Sequence, residues 1–183
     1  MENKPRAEEV VSSTTIHSGR VLRYKIAKVK LADGRAYQCE VVEHLGAVAL
    51  IPIVDNQIVL IRQFRLPTNR VLYEIPAGTL GKGESPEACA SRELIEETGY
   101  SAGKLKELFH CFLAPGYSTE MIRFFLATEL QLGHQNLDED EAIQVCLTPV
   151  KRALEMIHSN EIEDAKTTIG ILLYEQYLAA QQR

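Results

Sequence analysis

The chain has 183 residues, 45% of them hydrophobic and 25% charged, which is typical of one globular domain with a small extension. A formal net charge of −5 and the lack of any basic run argue against a nucleic-acid-binding protein. No apolar run approaches the ~20 residues of a membrane-spanning helix, and the polar stretch 1–9 is no signal-peptide core, so we expect no membrane partner.

The four cysteines, at positions 39, 89, 111 and 146, lie far apart and form no C-x-x-C pair. This spacing predicts reduced, partly buried thiols rather than a disulfide framework or a zinc site. Together with the polar N-terminal stretch, it predicts a cytoplasmic protein.

Three runs with strand-like composition come first in the chain, at residues 10–17, 21–31 and 37–43. Ser18-Gly19 and Asp33-Gly34 mark the turns between them. Three strands are too few to bury a core alone, so they are expected to pack on the body or on a second copy of the chain. We therefore expect an antiparallel β extension over residues 1–44 and a main domain over 45–183.

The apolar run 46–54 predicts a buried central strand, with Asp55-Asn56 as the turn into a partner strand at 57–64. A short strand at 71–75 leads into a glycine-containing loop. Ser85 as N-cap, Pro86 at the first helical position and a stop at Gly99 then predict a helix. Its expected apolar stripe consists of Ala88, Ser91, Leu94, Ile95 and Thr98.

The remaining chain predicts strands at 105–113, 120–130 and 143–147 and a helix at 149–158. Asp164 is the expected N-cap of a last helix that ends near Ala180. Its predicted stripe, interrupted by Gly170, is Ile169, Leu172, Leu173, Gln176 and Tyr177. This order of elements predicts the α/β class, with a mixed sheet between helices in an α/β/α sandwich.

One face of the central helix carries Glu93, Glu96 and Glu97, which are surface neighbours at this spacing. Like charges so placed destabilise a helix, and Arg92 alone does not balance three acids. Glutamate-rich faces are commonly only solvated. Oxygen ligands without histidine favour Mg²⁺ or Mn²⁺ if a metal binds here.

The full spacing from Gly78 through Glu84, Arg92-Glu93 and Glu96-Glu97 to Gly99 resembles the Nudix box, G-x5-E-x7-R-E-U-x-E-E-x-G-U, where U is apolar. Every charged and glycine position matches. Tyr100 is the soft departure, because an aliphatic residue is commoner there.

The resemblance extends to the subgroup that hydrolyses ADP-ribose and other nucleoside diphosphate sugars. It rests on the segments 62–65, 73–78, 115–118, 138–141, 153–157 and 161–167. This subgroup implies an α/β/α sandwich and a homodimer whose N-terminal strands cross to the partner. It also implies Mg²⁺, or Mn²⁺, as the cofactor.

The family pattern implies a role for individual residues. The carbonyl of Ala77 and the carboxylates of Glu93 and Glu97 would bind metal, with Glu96 assisting, and Arg92 would orient the helix through Glu84. The water-activating base would lie on the late acidic run, at Glu139 or Glu141. Gly78, Glu84 and Gly99 would be structural, and the implied substrate-binding residues are Arg62, Arg65, Glu74, Pro115 and Ser118.

Several alternatives remain open at this stage. Arg62 and Arg65 could be ordinary strand-end charges, and the acidic run a solvated loop. The resemblance implies hydrolysis of ADP-ribose or a related nucleoside diphosphate sugar to a nucleoside monophosphate and a sugar phosphate. The rivals are a GDP-mannose-preferring hydrolase, a nucleoside triphosphate house-cleaning enzyme, and a nucleotide-sensing module without activity. Base stacking could involve Tyr24 or Tyr37.

Overall fold

The computed structural model describes residues 9–137 and 142–181, and these form two compact units. The smaller unit holds the described residues up to Gly46 together with Phe112–Met121. The larger unit holds Ala47–Cys111 and the described residues from Ile122 onward. No helix among these described residues is long and apolar enough to cross a membrane.

The smaller unit is an antiparallel sheet of three strands in the order β1-β2-β3. The strands are β1 (Glu9–Ser18), β2 (Leu22–Lys30) and β3 (Ala36–His44). Gly34, with φ 88°, makes the turn between β2 and β3. The N-terminal antiparallel sheet predicted from the sequence is thus confirmed. Ala27 and Val29 are buried, whereas every residue of β1 is exposed.

The larger unit contains a mixed sheet of seven strands, whose central path runs β10-β5-β4-β9-β8. β4 and β9 run parallel, whereas β5 runs antiparallel to β10, β4 and β6, and β7 runs antiparallel to β4. β6 pairs with β5, and β7 pairs with β4. The strands are β4 (Ala47–Val54), β5 (Gln57–Arg65), β6 (Arg70–Glu74), β7 (Ala77–Thr79), β8 (Tyr100–Phe112), β9 (Met121–Leu132) and β10 (Ile143–Pro149).

Helix α1 (Pro86–Thr98) covers one face of this sheet. Ser85 caps it by accepting a hydrogen bond from Ala88 N at 3.2 Å, and Gly99 ends it with φ 76°. Its buried face holds Cys89, Ala90 and Leu94, which pack on Val48, Leu50 and Phe125. The predicted stripe was wrong at Ala88, Ser91 and Ile95, which are exposed. The face of the helix that contacts the sheet is rotated by about one residue from the predicted face. Tyr100 is buried in the same cluster, so its ring fills the apolar place that ends the box.

Helix α3 (Ala165–Gln181) lies on the opposite face, with α2 (Val150–His158) beside it. A Cβ on Gly170 would lie 2.7 Å from Ile75 Cδ1 and 3.3 Å from Ile51 Cγ1. Gly170 is therefore the point at which α3 approaches the sheet most closely, and it does not interrupt the buried face of the helix. The stripe predicted for α3 was wrong, because the buried residues are Thr167, Gly170, Ile171 and Tyr174.

The mixed sheet between α1 and α3 confirms the predicted α/β/α sandwich. The hairpin turn at Asp55-Asn56 is also as predicted, with positive φ at both residues (48° and 60°) as a type I′ turn requires. The sequence did not predict β7, which was assigned to the glycine loop. It also started β8 five residues late, because 100–104 lack a clear apolar alternation.

Candidate active site

β7 and α1 meet where Gly78 faces Glu93. A Cβ built on Gly78 would lie 1.9 Å from both Cδ and Oε1 of Glu93. No side chain fits there, so glycine is required for the Glu93 carboxylate to rest against the β7 backbone. Glu93 is mostly buried, with 13% of its side chain exposed.

The carboxylate of Glu97 lies against the neighbouring residue of the same strand. Ala77 N donates a hydrogen bond to Glu97 Oε2 at 2.9 Å, and Glu97 is only 3% exposed. The sequence predicted Glu97 on the acidic face of the helix, opposite the apolar stripe, and the structure shows that its side chain is buried there. A buried carboxylate is costly unless donors or cations compensate it, so this position is built to hold a negative charge beside β7.

Arg92 connects the other three acids of the site. Its Nε and Nη2 donate to the two carboxylate oxygens of Glu84 at 2.9 and 3.1 Å. Its Nη1 donates to Glu93 Oε1 at 2.6 Å and to Glu96 Oε2 at 2.8 Å. The hydrogen bonds from Arg92, with one from Gly81 N, lower the pKa of Glu84 to about 2. The hydrogen bond to Glu84 raises the pKa of Arg92 most, and the bonds to Glu96 and Glu93 raise it further.

This group brings several carboxylates close together on one side of the helix. Three carboxylates share Arg92, and the buried Glu97 adds a fourth acid close by. Among residues 9–137 and 142–181, however, no three histidine, cysteine or acidic side chains converge closely enough to hold a metal ion. Carboxylate oxygens are nevertheless the donors that a hard divalent cation prefers. Two observations thus support a cation site: the carboxylate oxygens, and the space at Gly78 that the Glu93 carboxylate occupies.

The segment after β9 attaches to the end of α1 that carries these acids. Gln135 Nε2 donates to the carbonyl of Glu97 at 2.6 Å, and Asn136 N donates to the carbonyl of Glu96 at 3.1 Å. A Cβ on Gly99 would lie 3.0 Å from Gln135 N, so Gly99 also leaves room for this segment. No sequence pattern predicted the contact that Gln135 makes. The acidic run 138–141, with the predicted bases Glu139 and Glu141, lies outside the described residues.

Arg65 and Glu74 form a two-point ion pair at the ends of β5 and β6. Arg65 Nε and Nη2 donate to the two carboxylate oxygens of Glu74, both at 2.7 Å. Glu74 is 1% exposed and also accepts a hydrogen bond from Lys166 Nζ. Burial alone raises the pKa of Glu74, but the bonds and charges of Arg65 and Lys166 outweigh it, and the pKa lies below its ordinary value. The pKa of Arg65 is raised by Glu74 first, with smaller contributions from Glu97 and Asp164.

Arg62 takes a different environment from Arg65. Its guanidinium carbon lies 5.3 Å from the centre of the Tyr73 ring, and its Nη1 donates to Gln144 Oε1 at 3.3 Å. Within the described part of the chain, the buried Arg62 Nε and Gln63 Oε1 have no hydrogen-bond partner. The structure therefore shows Arg65 paired with Glu74, whereas Arg62 contacts Tyr73 and Gln144.

Pro115 and Ser118 belong to the smaller unit, where they form a turn. Ser118 N donates to the carbonyl of Ala114 at 2.8 Å, and Ser118 Oγ accepts from Glu120 N at 3.1 Å. Tyr24 and Tyr37 lie on β2 and β3 of the same unit. Of the predicted site residues, the structure thus brings together Arg65, Glu74, Ala77, Gly78, Glu84, Arg92, Glu93, Glu96, Glu97 and Gly99.

The sequence and the fold are similar to those of known proteins. Residues 43–168 match the NUDIX domain family. An ADP-ribose pyrophosphatase of Bacillus subtilis (strain 168) is 40% identical over 182 residues, covering 98% of this chain and 96% of the relative. A methanol dehydrogenase activator of Bacillus methanolicus is 38% identical, over 96% of this chain and 94% of the relative.

Two further similarities are more distant. A GDP-mannose pyrophosphatase of Salmonella typhimurium is 35% identical over 85% of this chain and 80% of the relative. The solved structure of an ADP compounds hydrolase has a TM-score of 0.85 and 23% identity, with 95% of each chain covered, and shows the same fold. The fold and the box define a Nudix-type protein. The chain belongs to the NUDIX domain family.

Proposed function

We propose that this chain is a divalent-cation-dependent pyrophosphohydrolase that cleaves the diphosphate linkage of ADP-ribose or a related nucleoside diphosphate sugar. The products are a nucleoside monophosphate and a sugar phosphate. The observation that carries the proposal is the complete acidic site on α1, in which Gly78 leaves room for Glu93 and Ala77 binds Glu97. The relatives named ADP-ribose pyrophosphatase and GDP-mannose pyrophosphatase support the substrate class.

The residues proposed to hold the cation are Glu93 and Glu97, the carbonyl of Ala77, and Glu96 in an assisting role. Mg²⁺ is proposed as the ion, with Mn²⁺ as its substitute, since both prefer oxygen ligands. When bound, such an ion polarises the phosphoryl oxygens and lowers the pKa of water at the site. Arg92 keeps Glu93 and Glu96 in place through its bonds to both and through its two-point pair with Glu84.

Two other groups of residues complete the proposed mechanism. Arg65, with Arg62 earlier on β5, contacts the diphosphate, because guanidinium groups match phosphate oxygens in charge and geometry. Glu139 is the proposed general base, with Glu141 as the alternative. These acids lie outside the described residues, and what supports them is the attachment of 135–136, just before them in the chain, to the end of α1.

We also propose a cytoplasmic homodimer formed through the N-terminal strands of residues 1–44. β1 offers Val10, Val11 and Ile16, each more than half exposed, as apolar surface for a second chain. The four cysteines are free thiols, which fits a reducing compartment. Pro115 and Ser118 are proposed to contact substrate, and Tyr24 or Tyr37 to stack on the base.

A substrate screen tests this function. The purified chain is assayed with Mg²⁺ on ADP-ribose, GDP-mannose, UDP-glucose and a nucleoside triphosphate, and the products are identified by chromatography. We expect ADP-ribose to give AMP and ribose 5-phosphate with the highest kcat/KM. A preference for GDP-mannose would select the alternative that the Salmonella relative supports. If no substrate is cleaved but nucleotides bind, the chain is a sensing module.

A further inference from the structure

The start of helix α3 contacts the site from the far end of the chain. Lys166 Nζ donates to Glu74 Oε2 and, at 3.0 Å, to Asp164 Oδ2. Its side chain is 11% exposed, and that of Glu74 is 1% exposed. A lysine is rarely buried to this extent unless acids pair with it. Lys166 is therefore fixed between two carboxylates, and Glu74 is fixed between two cations.

Glu74 in turn fixes the orientation of Arg65. Both carboxylate oxygens of Glu74 bind Arg65, and only Oε2 also binds Lys166. Arg65 thus uses Nε and Nη2 on Glu74, while 38% of its side chain remains exposed. A rotation of the Glu74 carboxylate would break the two-point geometry, so the direction of the Arg65 guanidinium depends on what holds Glu74.

The same helix start also holds the backbone between β6 and β7. Ile75 N donates to Thr167 Oγ1 at 2.8 Å, and Thr167 Oγ1 donates to Asp164 Oδ2 at 2.5 Å. Asp164 caps the helix by accepting a hydrogen bond from Thr167 N at 2.9 Å. The side chain of Glu74 and the N–H of Ile75 are therefore anchored to one rigid point, two residues before Ala77.

From this geometry, and resting on the function proposed above, we propose that Lys166 is a positioning residue. It holds Glu74 so that Arg65 presents its exposed edge to the diphosphate of the substrate. Lys166 does not touch the reacting atoms. It acts through Glu74 and Arg65, and Thr167 holds the adjoining backbone in the same arrangement.

The chain offers a matched control at the same two segments. Arg70, at the start of β6, forms an ion pair with Glu163, just before α3, with Nη1 and Oε1 at 2.8 Å. This pair also joins β6 to the start of α3, but its side chains are 60% and 37% exposed and it does not touch Glu74. Arg70→Met therefore removes a link between the same segments without disturbing the buried pair.

The test compares Lys166→Met, Lys166→Arg, Arg70→Met, Arg65→Met and the double variant Arg65→Met/Lys166→Met. For each we measure kcat and KM for ADP-ribose, the melting temperature, and the Kd for ADP by calorimetry. We expect Lys166→Met to lower kcat/KM by about 10- to 100-fold and to weaken ADP binding, because a displaced guanidinium loses its geometry. Lys166→Arg should restore most of the loss, since a guanidinium can also donate to both acids.

The double variant decides whether Lys166 acts through Arg65. We expect Lys166→Met to have no further effect on kcat/KM once Arg65 is replaced. A merely structural lysine would lower the melting temperature and leave kcat/KM and ADP affinity at the values of Arg70→Met, which would overturn the proposal. Equal losses from Lys166→Met with and without Arg65 would also overturn it.

Two further measurements keep the outcome clear. If Lys166→Met does not fold, the variants Thr167→Val and Thr167→Ser are compared instead. We then expect Ser to retain kcat/KM and ADP affinity and Val to lose both, and equal values would contradict the proposal. If the wild-type chain cleaves no substrate, the proposed function fails, while the ADP affinities of the same variants still test the role of Lys166.

Discussion

The contact between Gly78 and Glu93 makes Gly78→Ala the most direct test of the site. The added Cβ would lie 1.9 Å from Glu93 Cδ, whereas non-bonded carbon atoms settle at about 3.5–4.0 Å. Helix α1 cannot retreat, because Cys89, Ala90 and Leu94 are fully buried against the sheet. Strand β7 is fixed by its pairing with β4. The side chain of Glu93 must therefore leave its place.

The structure sets the size of the effect. Glu93 loses its 2.6 Å bond to Arg92, which is worth about 1–2 kcal/mol because Arg92 is partly exposed to water. A strained rotamer adds about 0.5–1.5 kcal/mol. The expected loss of about 1.5–3.5 kcal/mol lowers the melting temperature of a chain of this size by about 3–14 °C. Because Glu93 is a proposed ligand of the cation, its displacement should lower kcat by about 10²-fold or more.

Calorimetry and steady-state kinetics measure both effects. Gly19→Ala is the control, since its Cβ would lie an ordinary 3.4 Å from His17 Nε2. The double variant Gly78→Ala/Glu93→Ala removes the clash, so its melting temperature should equal that of Glu93→Ala while kcat stays low. A wild-type melting temperature and kcat in Gly78→Ala alone would show that the added Cβ does not displace Glu93.

Four further outcomes are expected. EDTA should abolish hydrolysis and Mg²⁺ or Mn²⁺ restore it, whereas full turnover in metal-free buffer would exclude a metal role. Glu97→Gln should lower kcat by orders of magnitude in a folded protein, because the amide oxygen can still accept from Ala77 N, and near-normal kcat would show that Glu97 is no ligand. Glu139→Gln should lower kcat by about 10²–10⁴-fold with KM little changed, and if only Glu141→Gln does so, the roles are exchanged. Light scattering should give a dimer mass at micromolar concentration, and deletion of residues 1–44 should reduce solubility and substrate affinity. A monomer mass would contradict the dimer.

Local sequence patterns predicted the positions of strands and the central helix because their signals are local. Ser85 and Gly99 mark the ends of α1, and Asp55-Asn56 permits the type I′ turn that joins β4 to β5. These features depend on the conformations that single residues allow. Their positions could therefore be predicted without knowledge of the packing.

Helix faces were harder to predict, because small residues can be buried without appearing apolar. Gly170 is buried since Ile51 and Ile75 leave no room for a side chain. In α1 the buried residues Cys89 and Ala90 carry less apolar surface than the exposed Ile95. The partner surface decides the contact face in both helices, and that surface is made by distant parts of the chain.

The same limit applies within the candidate site. The spacing of the box predicted which acids share a helix face, but not that Glu97 is buried on Ala77 or that Arg92 bonds three acids at once. Lys166 gave no separate signal, because its partner Glu74 lies in a strand far from it in the chain. Contacts of this kind follow from the tertiary fold.

The parallel pairing of β4 with β9 has a consequence for how the protein folds. Ala47 pairs with Ile122 and Pro52 with Ala127, so the centre of the sheet closes only after a long intervening segment is brought round. Closing such a loop carries an entropic cost before any contact compensates it, and sheets of this topology fold slowly. Strand β7 pairs with the other edge of β4. Glu93 and Glu97 lie against β7, which pairs with β4, and β4 gains its parallel neighbour β9 only when the later part of the chain is present. During synthesis, a chain that ends before residue 127 therefore lacks the complete sheet that supports these two acids.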